Sequence, residues 1–339
     1  LLEEYQIINL LHLGPHAFDE IGGEIVQCAA FVFGKYAPNH NGIYYRLVDG
    51  KNSFEKELSF LKKENMYYDF PQSFVKSIPG HPIGYWLSKQ MLQIFKNPKL
   101  SEIAETKLGM STNDNNRFLR YWYEIDYEDF VSDRTNESTI QYYQRWFPYS
   151  KGGGYRKWFG NVVNVINWYE DGKEVKELAS QLYGSYTRTC KNSQHFFKSA
   201  VTWNLISSSK PVFRYLPNGC VLGDAGPVCF TDKEYFFLGL LNSKVIQTIL
   251  PIINPTINCS TGIVNLLPVA GIDNLKVDTL SKDNVTISRH DWDAHETSWD
   301  FKTNELVLLA KANQTIDEIV REYKAVWTEN FMQLHSNEE

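Results

Sequence analysis

Residues 145–160, Arg-Trp-Phe-Pro-Tyr-Ser-Lys-Gly-Gly-Gly-Tyr-Arg-Lys-Trp-Phe-Gly, constrain this chain more than any other stretch. Four cations (Arg145, Lys151, Arg156, Lys157) are interleaved there with six aromatics (Trp146, Phe147, Tyr149, Tyr155, Trp158, Phe159). The triple glycine Gly152–Gly154 supplies a backbone that tolerates positive φ and close approach to another surface. A chain with this stretch must either pack the rings as a hairpin core with a solvated basic edge or present them to a ligand. No acid occurs from Gln141 to Gly160. Cations neutralise phosphates and flat rings stack on bases or wedge against sugars, so the composition also suits a loop that touches nucleic acid. Composition alone leaves both open.

Charge distribution sharpens the second reading. The net charge of −6 argues against a general nucleic-acid coat. Residues 270–339, however, hold 7 cations against 14 acids, and the remainder holds 27 against 26. The acidity therefore belongs to the C-terminal fifth, and the middle is free to present a basic face. A chain of 339 residues with 43% hydrophobic and 14% aromatic content folds around a sizeable core in two domains, or in one with appendages. Five cysteines (Cys28, Cys190, Cys220, Cys229, Cys259) with no C-x-x-C pair exclude a disulfide framework and a zinc cluster, as in a reduced, cytoplasmic protein. No run of about 18 apolar residues exists, so no membrane partner is expected. The chain opens at Leu1 rather than Met, and a piece of a longer polypeptide is expected.

Periodicity gives a coarse map. Ile7–Leu13 is a short apolar run that reads as a buried strand. Gly22-Gly23 turns it into a second strand over Glu24–Phe33, and a polar hairpin is centred on Asn41-Gly42. Residues 54–65 and 83–97 have amphipathic helical spacing. Phe236–Val245 reads as a helix running towards a strand at Ile263–Val269. The longest helical pattern covers 303–335, with Leu306, Leu309, Ile316, Ile319, Val320, Tyr323 and Trp327 at mostly three- and four-residue spacing.

Enzymatic signatures are sparse. Glu174-Val175-Lys176 is a lone E-x-K. His12, His16, His81 and His195 show no metal-ligand spacing, and no P-loop is present, so neither catalytic nor metal-ligating residues are assigned. Three further segments look like recognition elements, although the third, Phe236–Val245 with Ile263–Val269, reads better as packing. Leu108–Arg120 places an amide-rich turn before an arginine-bearing helix start that Thr112, Asn113 or Asp114 would cap. Asn reads adenine edges, while Arg reads guanine or phosphate. Ala200–Ser209 is a hydroxyl-rich turn after a strand.

Taken in order, Gly109–Arg120, Trp146–Asn161, Thr202–Ser208, Leu241–Val245, Asn254-Pro255-Thr256, Leu267-Pro268 and Thr297-Ser298-Trp299-Asp300-Phe301 resemble the PglX family. These are the large adenine-specific DNA methyltransferases of BREX and Pgl phage-defence systems. The Asn-Ser-Lys segment and the Leu-Pro run also resemble target-recognition domains of type I specificity subunits and type IIG enzymes. The resemblance implies an α+β fold. Residues 1–50 would be the last strands of a Rossmann-like methyltransferase sheet, 51–100 a helical connector, 101–290 a target-recognition domain and 291–339 a helical spacer. It implies double-stranded DNA and other phage-defence proteins as partners. The parent enzyme would flip an adenine and methylate N6 from S-adenosylmethionine.

Within that reading, Arg117, Arg120, Lys151, Arg156 and Lys157 would contact phosphate or guanine. Asn113, Asn115 and Asn116 would offer amides to base edges, and Tyr149, Tyr155 and Trp158 would pack on sugars or bases. A non-enzymatic specificity or scaffold subunit that bridges protein partners is the alternative. The family's glycine-rich cofactor motif and its Asn-Pro-Pro-Tyr do not occur in these residues; Asn97-Pro98 and Asn254-Pro255 lack the following Pro-Tyr. The isolated chain is therefore expected to be inactive and to bind no S-adenosylmethionine. Titration calorimetry checks this, and a stoichiometric micromolar site would overturn it.

Overall fold

The apolar run at the N-terminus forms strand β1 (Gln6–Gly14), which pairs antiparallel with β2 (Cys28–Gly34) and parallel with β3 (Ile43–Arg46). The computed structural model describes residues 2–20, 27–35, 39–131 and 143–339. They divide into two units, 1–97 and 98–339. The Gly22-Gly23 turn and the segment Glu24–Val26 lie outside the described residues, as do residues 36–38 of the expected polar hairpin. Asn41-Gly42 does not join two paired strands, because β3 pairs parallel to β1.

In the first unit, helix α1 (Ser53–Leu61) follows β3 and starts where the Asn52 side chain accepts from the Glu55 amide at 2.8 Å. Strand β4 (Met66–Tyr67) completes a sheet of order β2-β1-β3-β4. The helix expected over 83–97 is confined to α2 (Lys89–Ile94). Turns at Pro82, Gly84 and Leu87 occupy its first half, and Pro98 disfavours helix at Asn97. Tyr44, fully buried, stacks on Tyr85 at 4.8 Å in the core of this unit.

The second unit contains two four-stranded sheets. One, of order β10-β9-β12-β5, uses β5 (Glu105–Lys107), β9 (Ala200–Trp203), β10 (Phe213–Leu216) and β12 (Val228–Phe230). The other, of order β11-β7-β8-β6, uses β6 (Leu119–Tyr121), β7 (Trp146–Ser150), β8 (Asn164–Asn167) and β11 (Val221–Leu222). A short helix α3 (Asn115–Phe118) leads into β6, and α4 (Tyr169–Tyr183) follows β8. Their shared core includes Met110, Phe118, Phe147, Ile166, Trp168 and Leu222. Gly109 is required at its edge: a Cβ there would lie 2.1 Å from the Leu222 carbonyl oxygen. That close approach lets the Met110 amide donate to Leu222 at 2.8 Å and the Asp224 amide donate to Met110 at 3.0 Å.

Helices make up the rest: α5 (Glu234–Asn242), α6 (Lys244–Ile253), α7 (Thr261–Val264), α8 (Leu275–Asp293), α9 (Glu305–Leu309) and α10 (Ile316–Glu338). Two expectations are corrected, and one helix was not foreseen. Ile263–Val269 is not a strand; α7 takes its start, and a short apolar run does not by itself separate the two states. The pattern over 303–335 is two helices. Asn313 turns at φ 67°, and a capping box between Thr315 and Glu318 begins α10 afresh. Helix α8 has no apolar signature, because its buried positions include Ser281, Asn284 and Ser288. The fold is mixed α and β, with small sheets and a long C-terminal helix. Among the described residues no single helix is long and apolar enough to cross a membrane.

Trp299, in the run before α9, is 9% exposed and meets Phe130 edge-on at 5.3 Å. Replacement by Ala should cost about 3–5 kcal/mol, as for other buried aromatics. Denaturant unfolding checks it: a change below 1 kcal/mol would show that the site does not anchor the helices.

Candidate nucleic-acid interface

Cross-strand register decides which side chains meet. Tyr121 of β6 faces Asn164 of β8, and Asn164 faces Tyr149 of β7, so the end of β6, the start of β8 and the end of β7 share one sheet edge. Lys151 follows β7 directly, and α3 runs straight into β6. The result is an open depression lined by Asn115, Asn116, Leu119, Arg120, Tyr121, Glu124, Lys151 and Asn164. Four of the residues expected from sequence are thereby brought together: Asn115, Asn116, Arg120 and Lys151.

Local hydrogen bonds fix its walls. Asp114, the cap among the three candidates, accepts from the Arg117 amide at 3.0 Å, and the Thr112 hydroxyl donates to the Asn115 side-chain oxygen at 2.6 Å. One guanidinium nitrogen of Arg120 donates to the carbonyls of Asn116 and Leu119, each at 2.6 Å, while the group lies 5.8 Å from the Trp146 ring centre. Arg120 is thus held by one nitrogen of its guanidinium. Lys151 is exposed and has no ion-pair partner among the described residues. The depression offers two cations, amide donors and acceptors, and one carboxylate, Glu124. A carboxylate repels phosphate but accepts from the amino group of cytosine.

The other expected residues are placed differently. Asn113, at φ 63°, donates its amide to the Thr189 hydroxyl at 3.0 Å. Arg117 is half exposed, pairs with Glu174 at 3.3 Å and lies over the Phe118 ring. Glu174 and Lys176 of the E-x-K have separate partners, because Lys176 pairs with Asp171 at 2.6 Å. Among the described residues no group of three His, Cys, Asp or Glu side chains is arranged to hold a metal.

The basic, aromatic loop after β7 departs most from expectation. Tyr149 is 2% exposed, and its hydroxyl donates to the Met110 carbonyl at 3.1 Å; burial pushes the phenol pKa up. Trp158 is 5% exposed at φ 71°, with its indole N–H on Glu338 at 2.6 Å. Neither ring offers a face to a ligand. Arg156 pairs with Asp291 and lies 4.9 Å from the Trp292 ring centre, and Lys157 pairs with Glu338 at 2.8 Å. Both cations are thus engaged by acids of α8 and α10. Tyr155 alone among these rings is exposed, at 65%.

Beneath the loop lies Arg214, 1% exposed and without a carboxylate among its bonded partners. Its guanidinium donates to the Arg156 carbonyl at 3.3 Å and to the Asn204 side-chain oxygen at 2.7 Å; its Nε is buried without a partner. Asn204 in turn donates to the Gly153 carbonyl at 2.6 Å, and Asn161 donates to Gly154 at 2.6 Å. Burial pulls the Arg214 pKa down to about 10, which leaves it cationic at neutral pH. Gly152 and Gly153 follow this path at φ 86° and 146°.

Sequence reasoning missed Tyr121, Tyr123 and Asn164 beside the depression, and Arg214 beneath the loop. The Tyr-Trp-Tyr run directly after Arg120 was the available signal for the first two. Nothing in the sequence marks Arg214, a cation in a β-type apolar run.

No family model matches the chain. The adenine-specific methyltransferase PglX of Lacticaseibacillus casei (strain Zhang) is 34% identical over 352 residues, covering 100% of this chain and 29% of that protein. The adenine-specific methyltransferase BrxX of Escherichia coli O9:H4 (strain HS) is 35% identical over 318 residues, covering 91% of this chain and 25% of that protein. The chain thus spans under a third of the length of these relatives, and the resemblance carried by its motifs is borne out. Among solved structures, the type IIL restriction-modification enzyme MmeI in complex with DNA covers 98% of this chain and 46% of its own, with a TM-score of 0.43 and 13% identity.

Arg214 generates a prediction about the loop. In Arg214→Lys a single ammonium replaces a planar fork and cannot serve both acceptors in the same geometry. The variant should lose about 1–3 kcal/mol of stability, and trypsin should cut faster after Lys151, Arg156 or Lys157. Unchanged cleavage in a destabilised variant would show that the loop is held by its other contacts.

Proposed function

We propose that this chain selects and holds a DNA duplex for an S-adenosylmethionine-dependent adenine-N6 methyltransferase of a phage-defence or restriction-modification system. The observation that carries the reading is the depression at the edge of β6, β8 and β7, where Lys151, Arg120, Asn115 and Asn116 converge. Similarity to adenine-specific methyltransferases over the whole chain supports it. In this reading residues 101–290 are the recognition region, and the sheet of the first unit is the end of the methyltransferase sheet. Cofactor binding and methyl transfer belong to the whole protein rather than to these residues.

Division of labour follows from placement. Lys151 and Arg120 take phosphate or a guanine edge, with Arg117 on the rim. Asn115 and Asn116 present amides to base edges, and Asn113 holds the turn that aims them. Tyr155 packs on the sugar-phosphate surface. Arg156 and Lys157 move from the role expected of them to another: their pairing with Asp291 and Glu338 braces the loop that carries Lys151.

One observation favours the scaffold reading. Helix α10 has no buried residue, and Phe331 and Met332 are 63% and 60% exposed, with Val307 and Leu308 of α9 at 66% and 70%. Exposed apolar side chains of that kind suit a protein contact where they form one patch. The two readings differ in salt dependence. In the folded chain Lys151→Ala should lower the magnitude of the log K against log salt slope by about 0.9, as for one phosphate contact. Arg156→Ala and Lys157→Ala should leave that slope unchanged. Salt-independent binding, or a slope that responds to Lys157 and not to Lys151, would transfer the lead to the scaffold reading or to the loop.

A further inference from the structure

Tyr121 and Tyr123 stand beside the depression with their rings parallel, 2° between planes and 5.3 Å between centres. They are 45% and 63% exposed. The intervening Trp122 is turned the other way: its indole N–H donates to the Thr297 carbonyl at 3.0 Å, and its ring meets Tyr123 edge-on at 5.8 Å. Glu124 pins the turn by accepting from the Tyr121 amide at 2.7 Å. The pair is therefore set by a hydrogen-bonded turn rather than by burial, and Tyr121 itself lines the depression that contains Lys151 and Arg120.

Base pairs in a duplex are stacked on both sides and show a protein only their edges. A flat ring with an open face has nothing to offer such a base. It suits one that has left the stack, as in single-stranded binding sites where aromatics carry successive bases beside cations that track the backbone. We infer that the Tyr121–Tyr123 pair is a stacking platform for an unpaired nucleobase, with Lys151 and Arg120 holding its phosphate. This rests on the duplex-recognition reading and adds a ligand to it: not the intact helix but a base displaced from it. Chemistry on a base in duplex DNA requires such displacement, which supplies unpaired bases at the recognised site. Stacking is sequence-tolerant, so the platform favours displacement without choosing the base.

The test uses the full 339-residue chain and two duplexes that carry 2-aminopurine, one fully paired and one with 2-aminopurine unpaired opposite an abasic position. Anisotropy gives affinity and 2-aminopurine fluorescence reports stacking. The unpaired duplex should bind more tightly, with its fluorescence quenched. Tyr123→Ala should remove that preference, a loss of roughly 5- to 150-fold, and relieve the quenching. Tyr123→Phe should keep both, because the ring and not the hydroxyl stacks. A folded Tyr123→Ala that keeps preference and quenching overturns the platform while leaving duplex recognition standing. Failure of either duplex to bind in a salt-dependent manner overturns both.

Discussion

The register of β6, β8 and β7 is the constraint on which the candidate interface depends. Side chains alternate along a strand, so a slip of one residue between β8 and either neighbour would send Asn164 and Tyr121 to the opposite face. Burial specifies that register strongly. Leu119 pairs with Ile166, Phe147 pairs with Ile166 from the other side, and all three are buried. Tyr149 adds a tie out of the sheet. Its hydroxyl bonds to Met110, in the turn that leads to α3, so the wall that carries Asn115 and the strand that carries Lys151 share one buried anchor. A ring expected to touch DNA thus contributes to the site from below.

Charge asymmetry has a second meaning in the folded chain. Two of the acids after residue 270 are partners of the basic loop: Asp291 takes Arg156, and Glu338 takes both Lys157 and the Trp158 indole. Each ion pair is partly exposed and is worth on the order of 1 kcal/mol at most. Their effect is chiefly to fix the loop's path. Of the cations expected to contact DNA, Lys151 and Arg120 have no acidic partner among the described residues.

Much of this was legible in residue order and some was not. The apolar run over Ile7–Leu13 and the helix around Phe236 follow from local pattern, and the structure has both. The amide-rich turn after Gly109 was singled out because its residue types carry recognition chemistry, and it does stand at a surface depression. What failed was any inference that depended on partners remote in sequence. Rings and cations in 145–160 look alike in composition whether buried or free. Only the presence of Asp291, Glu338 and Arg214, up to 180 residues away, decides which they are. The same blindness hid α8, whose buried face is built from Ser281, Asn284 and Ser288, and let two helices read as one across Asn313.

Rigidity joins these points. A surface that reads bases needs its donors held before the ligand arrives, because ordering them afterwards subtracts from affinity. Arg120 is held by two carbonyls, Asn115 by Thr112, and Tyr121 by Glu124, each within the same short segment. Lys151 differs. Its chain enters from β7 and leaves through Gly152 and Gly153, whose path Asn204 and Arg214 hold from beneath. The depression therefore has one wall fixed by local hydrogen bonds and one fixed by a buried cation lacking a carboxylate. A guanidinium there holds carbonyl and amide oxygens without neutralising itself, so its charge adds to that of Lys151 in the local potential.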